Sequence, residues 1–229
     1  MTLGIFDSGE GGYNLLRYAR LRNNRDDVIF LCDRANSPYG TKRDYELRHI
    51  VTENIATLKR MGADKIIIAC CTACTVYREL TDTEDVYPIL GLAARVAERV
   101  SKREVAVIAT GATVRSGEFA RQIRSRVVRE IEAQPLVAMI DGGARDGDIP
   151  REVTDYLDGL VTRAEGADTL VLGCTHFSSV KEYLKRIGRQ HGIERIVDAA
   201  EVGAMLTERV ITEDGVGTDY VFITKNARA

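Results

Sequence analysis

Cys70 and Cys174 are the residues of this chain whose type and spacing point most directly to chemistry, because each closes an apolar run and leads into a polar triplet, Cys70-Cys71-Thr72 and Cys174-Thr175-His176. A thiol on each face of one carbon atom is what a stereoinverting proton transfer needs. One thiolate removes the proton from one face, the opposite thiol delivers another, and neither requires a cofactor. A free thiol titrates near about 8.5, so it must be partly ionised to act as a base, and a positive neighbour, a donor or a helix N-terminus assists that ionisation. His176 stands two residues past Cys174 and Asp7 ends the first apolar run. Either can orient or shuttle protons at the thiol on its side; each can equally serve as an ordinary helix cap.

The elements that position these thiols are written twice. GADKIIIACCTA (62 to 73) returns as GADTLVLGCTH (166 to 176), with Gly62 and Gly166, and likewise Cys70 and Cys174, 104 residues apart. TLGIFDSGEGG at the start has a counterpart in VAVIATGATVRSG (105 to 117), where Ile5 and Ile108 are 103 apart. Each copy reads as a helix closed by Gly-Ala-Asp, then a buried strand with its cysteine at the end, which is where open α/β sheets hold ligands. The repeat predicts two similar α/β halves, 1–95 and 101–200, with 201–229 packing back onto the first. Their mainly parallel sheets are related by a pseudo-two-fold axis, and Cys70 and Cys174 face one cleft. Buried strands are expected at 3–6, 28–32, 65–69, 86–90, 105–109, 136–140, 169–172 and 196–198, with a last one in DYVFITKN, and helices at 45–61 and 118–132. GGARDGDIP (142 to 150) reads as a loop on the surface or over the cleft.

A chain of 229 residues with 45% hydrophobic and 29% charged residues can bury a core without staples. A net charge of −2 gives no reason to expect nucleic acid. Neither a membrane-spanning apolar run nor a signal peptide is apparent, so a cytoplasmic protein with no membrane partner is expected. Five cysteines, an odd number, read as thiols rather than a disulfide framework. They do not read as a metal site either: Cys70 and Cys71 are adjacent and Cys174 lacks the paired spacing of a zinc knuckle.

Taken in order and spacing, GIFDSGEGG, SPYGTK, IIIACCTA, ATGATVRSG and LVLGCTHF resemble the motifs of the aspartate/glutamate racemase family, over residues 3 to about 200. The resemblance implies two α/β domains with pseudo-two-fold symmetry and racemisation of a small amino acid without pyridoxal phosphate or any other cofactor, often in a homodimer. By motif, Cys70 and Cys174 become the two bases, with Asp7 and His176 assisting. Asp7, Ser8, Pro38, Tyr39, Gly40, Cys71, Thr72, Thr110, Thr113 and Thr175 then line the substrate site. Hydroxyls and backbone amides at strand ends suit a carboxylate.

The chain departs from that family in three places. Cys71 stands where an asparagine is usual, Asp141 stands nearest to a usual glutamate, and the chain stops soon after DYVFITKN. These changes spare the two bases and alter the grip on the substrate, so glutamate is expected first, with another acidic amino acid such as aspartate as the alternative. Retention of both thiols speaks against the single-cysteine decarboxylases of the superfamily but not against a hydantoin racemase. A catalytically idle amino-acid-binding protein on the same scaffold is the reading from another class.

Overall fold

The structure is a computed structural model describing residues 1–22, 27–210 and 217–224. Nine strands are present among them: β1 (Thr2–Asp7), β2 (Asp27–Cys32), β3 (Lys65–Ile68), β4 (Val86–Pro88), β5 (Glu104–Ala109), β6 (Val127–Glu132), β7 (Thr169–Gly173), β8 (Arg195–Asp198) and β9 (Asp219–Ile223). The helices are α1 (Gly12–Arg22), α2 (Asp44–Arg60), α3 (Cys71–Cys74), α4 (Ile89–Val100), α5 (Gly111–Ser116), α6 (Glu118–Gln122), α7 (Gln134–Asp141), α8 (Arg151–Arg163), α9 (Lys181–Gln190) and α10 (Ala199–Val210). No helix among the described residues is long and apolar enough to cross a membrane.

The strands form two all-parallel sheets, ordered β4-β3-β1-β2-β9 and β6-β5-β7-β8. Read from opposite ends, β4-β3-β1-β2 and β8-β7-β5-β6 are the same arrangement, so the repeated sequence folds into a repeated α/β unit. Its recurring Gly-Ala-Asp does the same work twice. Gly62 and Gly166 take left-handed φ values of +93° and +96°, which glycine adopts without a Cβ clash. Two residues on, Asp64 accepts from the Thr2 amide at 2.7 Å, and Asp168 accepts from the Lys102 amide and the Ser101 hydroxyl, both at 2.7 Å. Each aspartate therefore tethers the entry of the central strand beside it.

The central strands β1, β3, β5 and β7 are buried almost throughout, as continuous apolar strands covered on both faces should be. One core joins the first sheet, α4 and α10 to the Val105, Val107 and Val171 face of the second sheet. Ala106, Ile108, Leu170 and Leu172 on its other face pack with α8 and α9.

Two sequence expectations are corrected. The segment 136–140 is helical, within α7, because Pro135 at its start favours a first helical turn and only Leu136 and Val137 are buried. The sixth strand is instead β6, inside the stretch expected as a helix over 118–132; only α6 there is helical. Strand β9 pairs with β2, while Lys225 and Asn226 of the expected last strand lie outside the described residues.

Candidate active site

Strand β3 ends at Ile68, and Cys70 occupies the extended position before α3, buried to 5% exposure. The neighbouring strand β1 ends in Asp7, which brings Ser8 Oγ to 3.4 Å from Cys70 Sγ. Burial pushes the Cys70 thiol well up from its ordinary range, and the nearby Asp7 carboxylate adds to the rise; the Ser8 hydroxyl opposes it.

Strand β7 ends at Gly173, and Cys174 precedes a 3₁₀ turn over Thr175–Val180. Its Sγ lies 3.7 Å from His176 Nδ1, while His176 Nε2 lies 3.4 Å from Asp141 Oδ1 at the end of α7. Burial of His176 works against its charged form, but the Asp141 hydrogen bond outweighs it with help from Cys174 and Asp7, so the imidazole is held well above its usual value. The same hydrogen bond lowers the Asp141 carboxyl.

The two units meet through these motifs. The Thr175 hydroxyl donates to Asp7 Oδ2 at 2.9 Å, the Gly9 amide donates to Asp7 Oδ1 at 3.0 Å, and burial nonetheless raises the Asp7 carboxyl. Asn14 Nδ2 donates to the Thr175 carbonyl at 2.9 Å. A Cβ on Gly11 would stand 2.5 Å from both His176 Nδ1 and Thr175 Oγ1, so any side chain there would displace the Cys-Thr-His turn. A triangle of buried hydroxyls, Thr72 to Thr110 at 2.8 Å, Thr72 to Thr113 at 3.2 Å and Thr110 to Thr113 at 2.9 Å, joins α3 to the start of α5.

Pro38, Tyr39 and Gly40 form the turn that packs against this second contact. A Cβ on Gly40 would meet Thr110 Cβ at 2.7 Å and Gln134 Oε1 at 2.0 Å, so only glycine permits the approach. The Tyr39 hydroxyl donates to Asp33 Oδ2 at 2.6 Å and accepts from Asn54 at 2.8 Å, which fixes the turn. Cys71 is the first residue of α3, directly after Cys70. Its thiol is 1% exposed and raised by burial first, then by its neighbours Cys74, Cys174 and Cys70. Negative charge at the Cys174 sulfur would raise both Cys70 and Cys71, so both lie within electrostatic reach of it.

The structure thus brings Asp7, Ser8, Cys70, Cys71, Thr72, Thr110, Thr113, Cys174, Thr175 and His176 to adjoining strand ends. Asn14, Asp33, Asn54 and Gln134 were not anticipated. Asp33 lies close to Ser-Pro-Tyr-Gly in sequence, whereas nothing in the sequence marks Asn14 or Gln134. A cavity of about 470 Å³ opens on the His176 side, bounded by Gly11, Asn14, Asp141 and His176 among others.

A sequence profile of the family described as Asp/Glu/Hydantoin racemase matches residues 14–207. The chain belongs to that family. Within it, the chain is similar to the glutamate racemase of Aquifex pyrophilus, 32% identical over 98% of this chain and 89% of the relative. A solved structure of the Aquifex pyrophilus glutamate racemase superposes with a TM-score of 0.79 at 28% identity, covering 98% of this chain and 90% of that one. The glutamate racemase of Francisella tularensis in complex with D-glutamate gives 0.86 at 22% identity, covering 99% and 89%, and shows the shared racemase fold. The protein is accordingly an isomerase of the amino-acid racemase type.

Proposed function

We propose that the protein interconverts L- and D-glutamate by proton transfer at the α-carbon between two thiols, Cys174 and Cys70, on opposite faces of the substrate. The thiolate of one cysteine takes the α-proton and becomes a thiol; the electron pair is held as a carbanion conjugated with the carboxylate; the thiol of the other cysteine then protonates the opposite face and is left as a thiolate. Hydrogen count and charge balance, and solvent exchange resets the two sulfurs. The observation that carries this reading is the convergence of two register-equivalent strand ends, each bearing a buried cysteine with its own polar partner. Glutamate as substrate is supported by the relatives, the 32% identical Aquifex pyrophilus enzyme above all.

His176, clamped by Asp141, supplies a protonatable neighbour that stabilises a thiolate at Cys174. Cys70, beside Ser8 and Asp7, is favoured in its protonated form. The hydroxyls of Ser8, Thr72, Thr110, Thr113 and Thr175 and the amides at the starts of α3 and α5 serve the charged ends of the amino acid. Incubation with L-glutamate in deuterated water, followed by chiral analysis, tests the reading: D-glutamate labelled at the α-carbon is expected. Absence of turnover with glutamate, alongside turnover of L-aspartate, would reassign the substrate.

A further inference from the structure

The cavity beside His176 has a charge pattern that the catalytic residues leave unused. Six charged or protonatable side chains that bound it carry the argument: Glu10, Arg17, Asp141, Arg145, Asp146 and His176. Each carboxylate is already committed. Glu10 pairs with Arg34 at 2.8 Å, Asp141 holds His176, and Asp146 accepts from the amides of Glu182 and Tyr183 at 2.8 and 2.9 Å, capping α9. The two guanidiniums are not. Arg17, on α1, sits 5.5 Å from the centre of the Tyr18 ring, and Arg145, in the loop after α7, donates to the Gly143 carbonyl at 3.0 Å. Neither shows an ion pair with a carboxylate among the described residues. They approach the cavity from the two repeated units, both are exposed, and the space between reaches His176 and hence Cys174.

We infer that Arg17 and Arg145 form an anion-capturing vestibule, the entry through which an acidic amino acid is drawn by a carboxylate toward the thiols. This rests on the reading that the substrate is an acidic amino acid. Two cations without a carboxylate ion pair among the described residues, at the mouth of the cavity, raise the local concentration of an anion and speed its arrival, an effect that salt screens within about 8–10 Å near physiological ionic strength. Capture precedes chemistry, so the arginines act on kcat/KM and leave kcat nearly alone.

The test compares the parent protein with Arg17→Gln/Arg145→Gln and with Arg17→Lys/Arg145→Lys. For the glutamine variant, kcat/KM for glutamate at low salt is expected to fall by roughly three- to tenfold, with kcat within about twofold, and its decline with added salt to flatten. The lysine variant, which keeps both charges, should remain near the parent. A second readout needs no turnover: the ratio of Cys174 alkylation rates with anionic iodoacetate and neutral iodoacetamide, followed by mass spectrometry. Changes in thiol ionisation cancel in that ratio, which should drop in the glutamine variant alone. An unchanged ratio together with parental kcat/KM and salt dependence would overturn the vestibule, as would a loss confined to kcat. If the parent fails to racemise glutamate, the proposed function falls, while the alkylation ratio still decides whether the mouth selects anions.

Discussion

At the end of β3, Cys70 meets a hydroxyl and a buried carboxylate; at the end of β7, the register-equivalent Cys174 meets an imidazole that Asp141 holds in place. The strand topology around the two thiols is the same and the side chains are not. The first environment opposes negative charge on sulfur, since burial and Asp7 both disfavour a thiolate. The second places beside the sulfur a buried imidazole with a raised affinity for a proton, held by Asp141. On the proposed mechanism, the repeated fold supplies the geometry for symmetric proton transfer, and the unlike neighbours of the two thiols make Cys174 the first base and Cys70 the first acid when L-glutamate is the substrate.

The largest effect is expected from removing either thiol. Cys70→Ser and Cys174→Ser should each lower racemisation by roughly a thousandfold or more, because a serine hydroxyl is too weak an acid to ionise as the base at neutral pH. Glutamate binding, read by calorimetry, should largely persist. Parental racemisation by Cys174→Ser would dissolve the comparison and leave Cys70 as the sole catalytic thiol.

His176→Gln should come next, with kcat/KM down by roughly a hundredfold, within the range for a positioned proton-transfer group. It also carries a pH signature in stability. A native value raised above the unfolded one, about 6.5, means that folding binds the proton more tightly, so this stabilisation is whole below about pH 6.5 and is lost as pH rises through the native value. The melting temperature of His176→Gln should therefore trail the parent most below neutrality, and the gap should narrow in alkaline buffer. At the acidic end Asp141, whose carboxyl is lowered, loses its contribution as pH falls through its native value. A gap that widened with rising pH would show that the imidazole is not held in its charged form.

A smaller effect is expected at Cys71, the sequence neighbour of Cys70. Cys71→Asn restores an amide that both donates and accepts, and one added hydrogen bond to a charged ligand should lower KM for glutamate by about tenfold with kcat little changed. No gain with glutamate would instead mark a site tuned to a shorter acidic amino acid.

The smallest effect lies in the support of the Pro38–Gly40 turn. Thr224, just past β9, donates to Asp33 Oδ1 at 2.7 Å and accepts from the Ala35 amide at 2.9 Å, and Asp33 in turn anchors Tyr39. Thr224→Val should cost about 1 kcal/mol, a fall in melting temperature of about 2–4 °C. Thermal denaturation followed by circular dichroism measures it; no shift would show that β9 is not needed to hold the turn.

The parts of this arrangement written as local pattern were legible in the sequence. Gly-Ala-Asp recurs because a left-handed glycine and a strand-tethering aspartate are needed at the same point of both units, and the cysteines follow at the same distance. Strand β6 was hidden because Val127–Glu132 lies at the edge of its sheet with only Ile131 buried and carries Arg129, Glu130 and Glu132, so it is not a continuous apolar run. The reverse error, a strand at 136–140, came from an apolar run that Pro135 starts as a helix. Contacts between the units, Asp7 with Thr175, Thr72 with Thr110 and Asn14 with the Thr175 carbonyl, join residues 38 to 168 positions apart, and no local pattern encodes such partners.

The division of labour between the two thiols is tested most directly by following label at the α-carbon during the first few per cent of conversion of L-glutamate in deuterated water. Two bases on opposite faces predict D-glutamate carrying deuterium from the solvent-exchanged thiol, while the remaining L-glutamate keeps its protium, since any returned proton comes from the thiol that removed it. Protium retained in the newly formed D-glutamate would mean that one group carries the proton from face to face, and would contradict the two-thiol account.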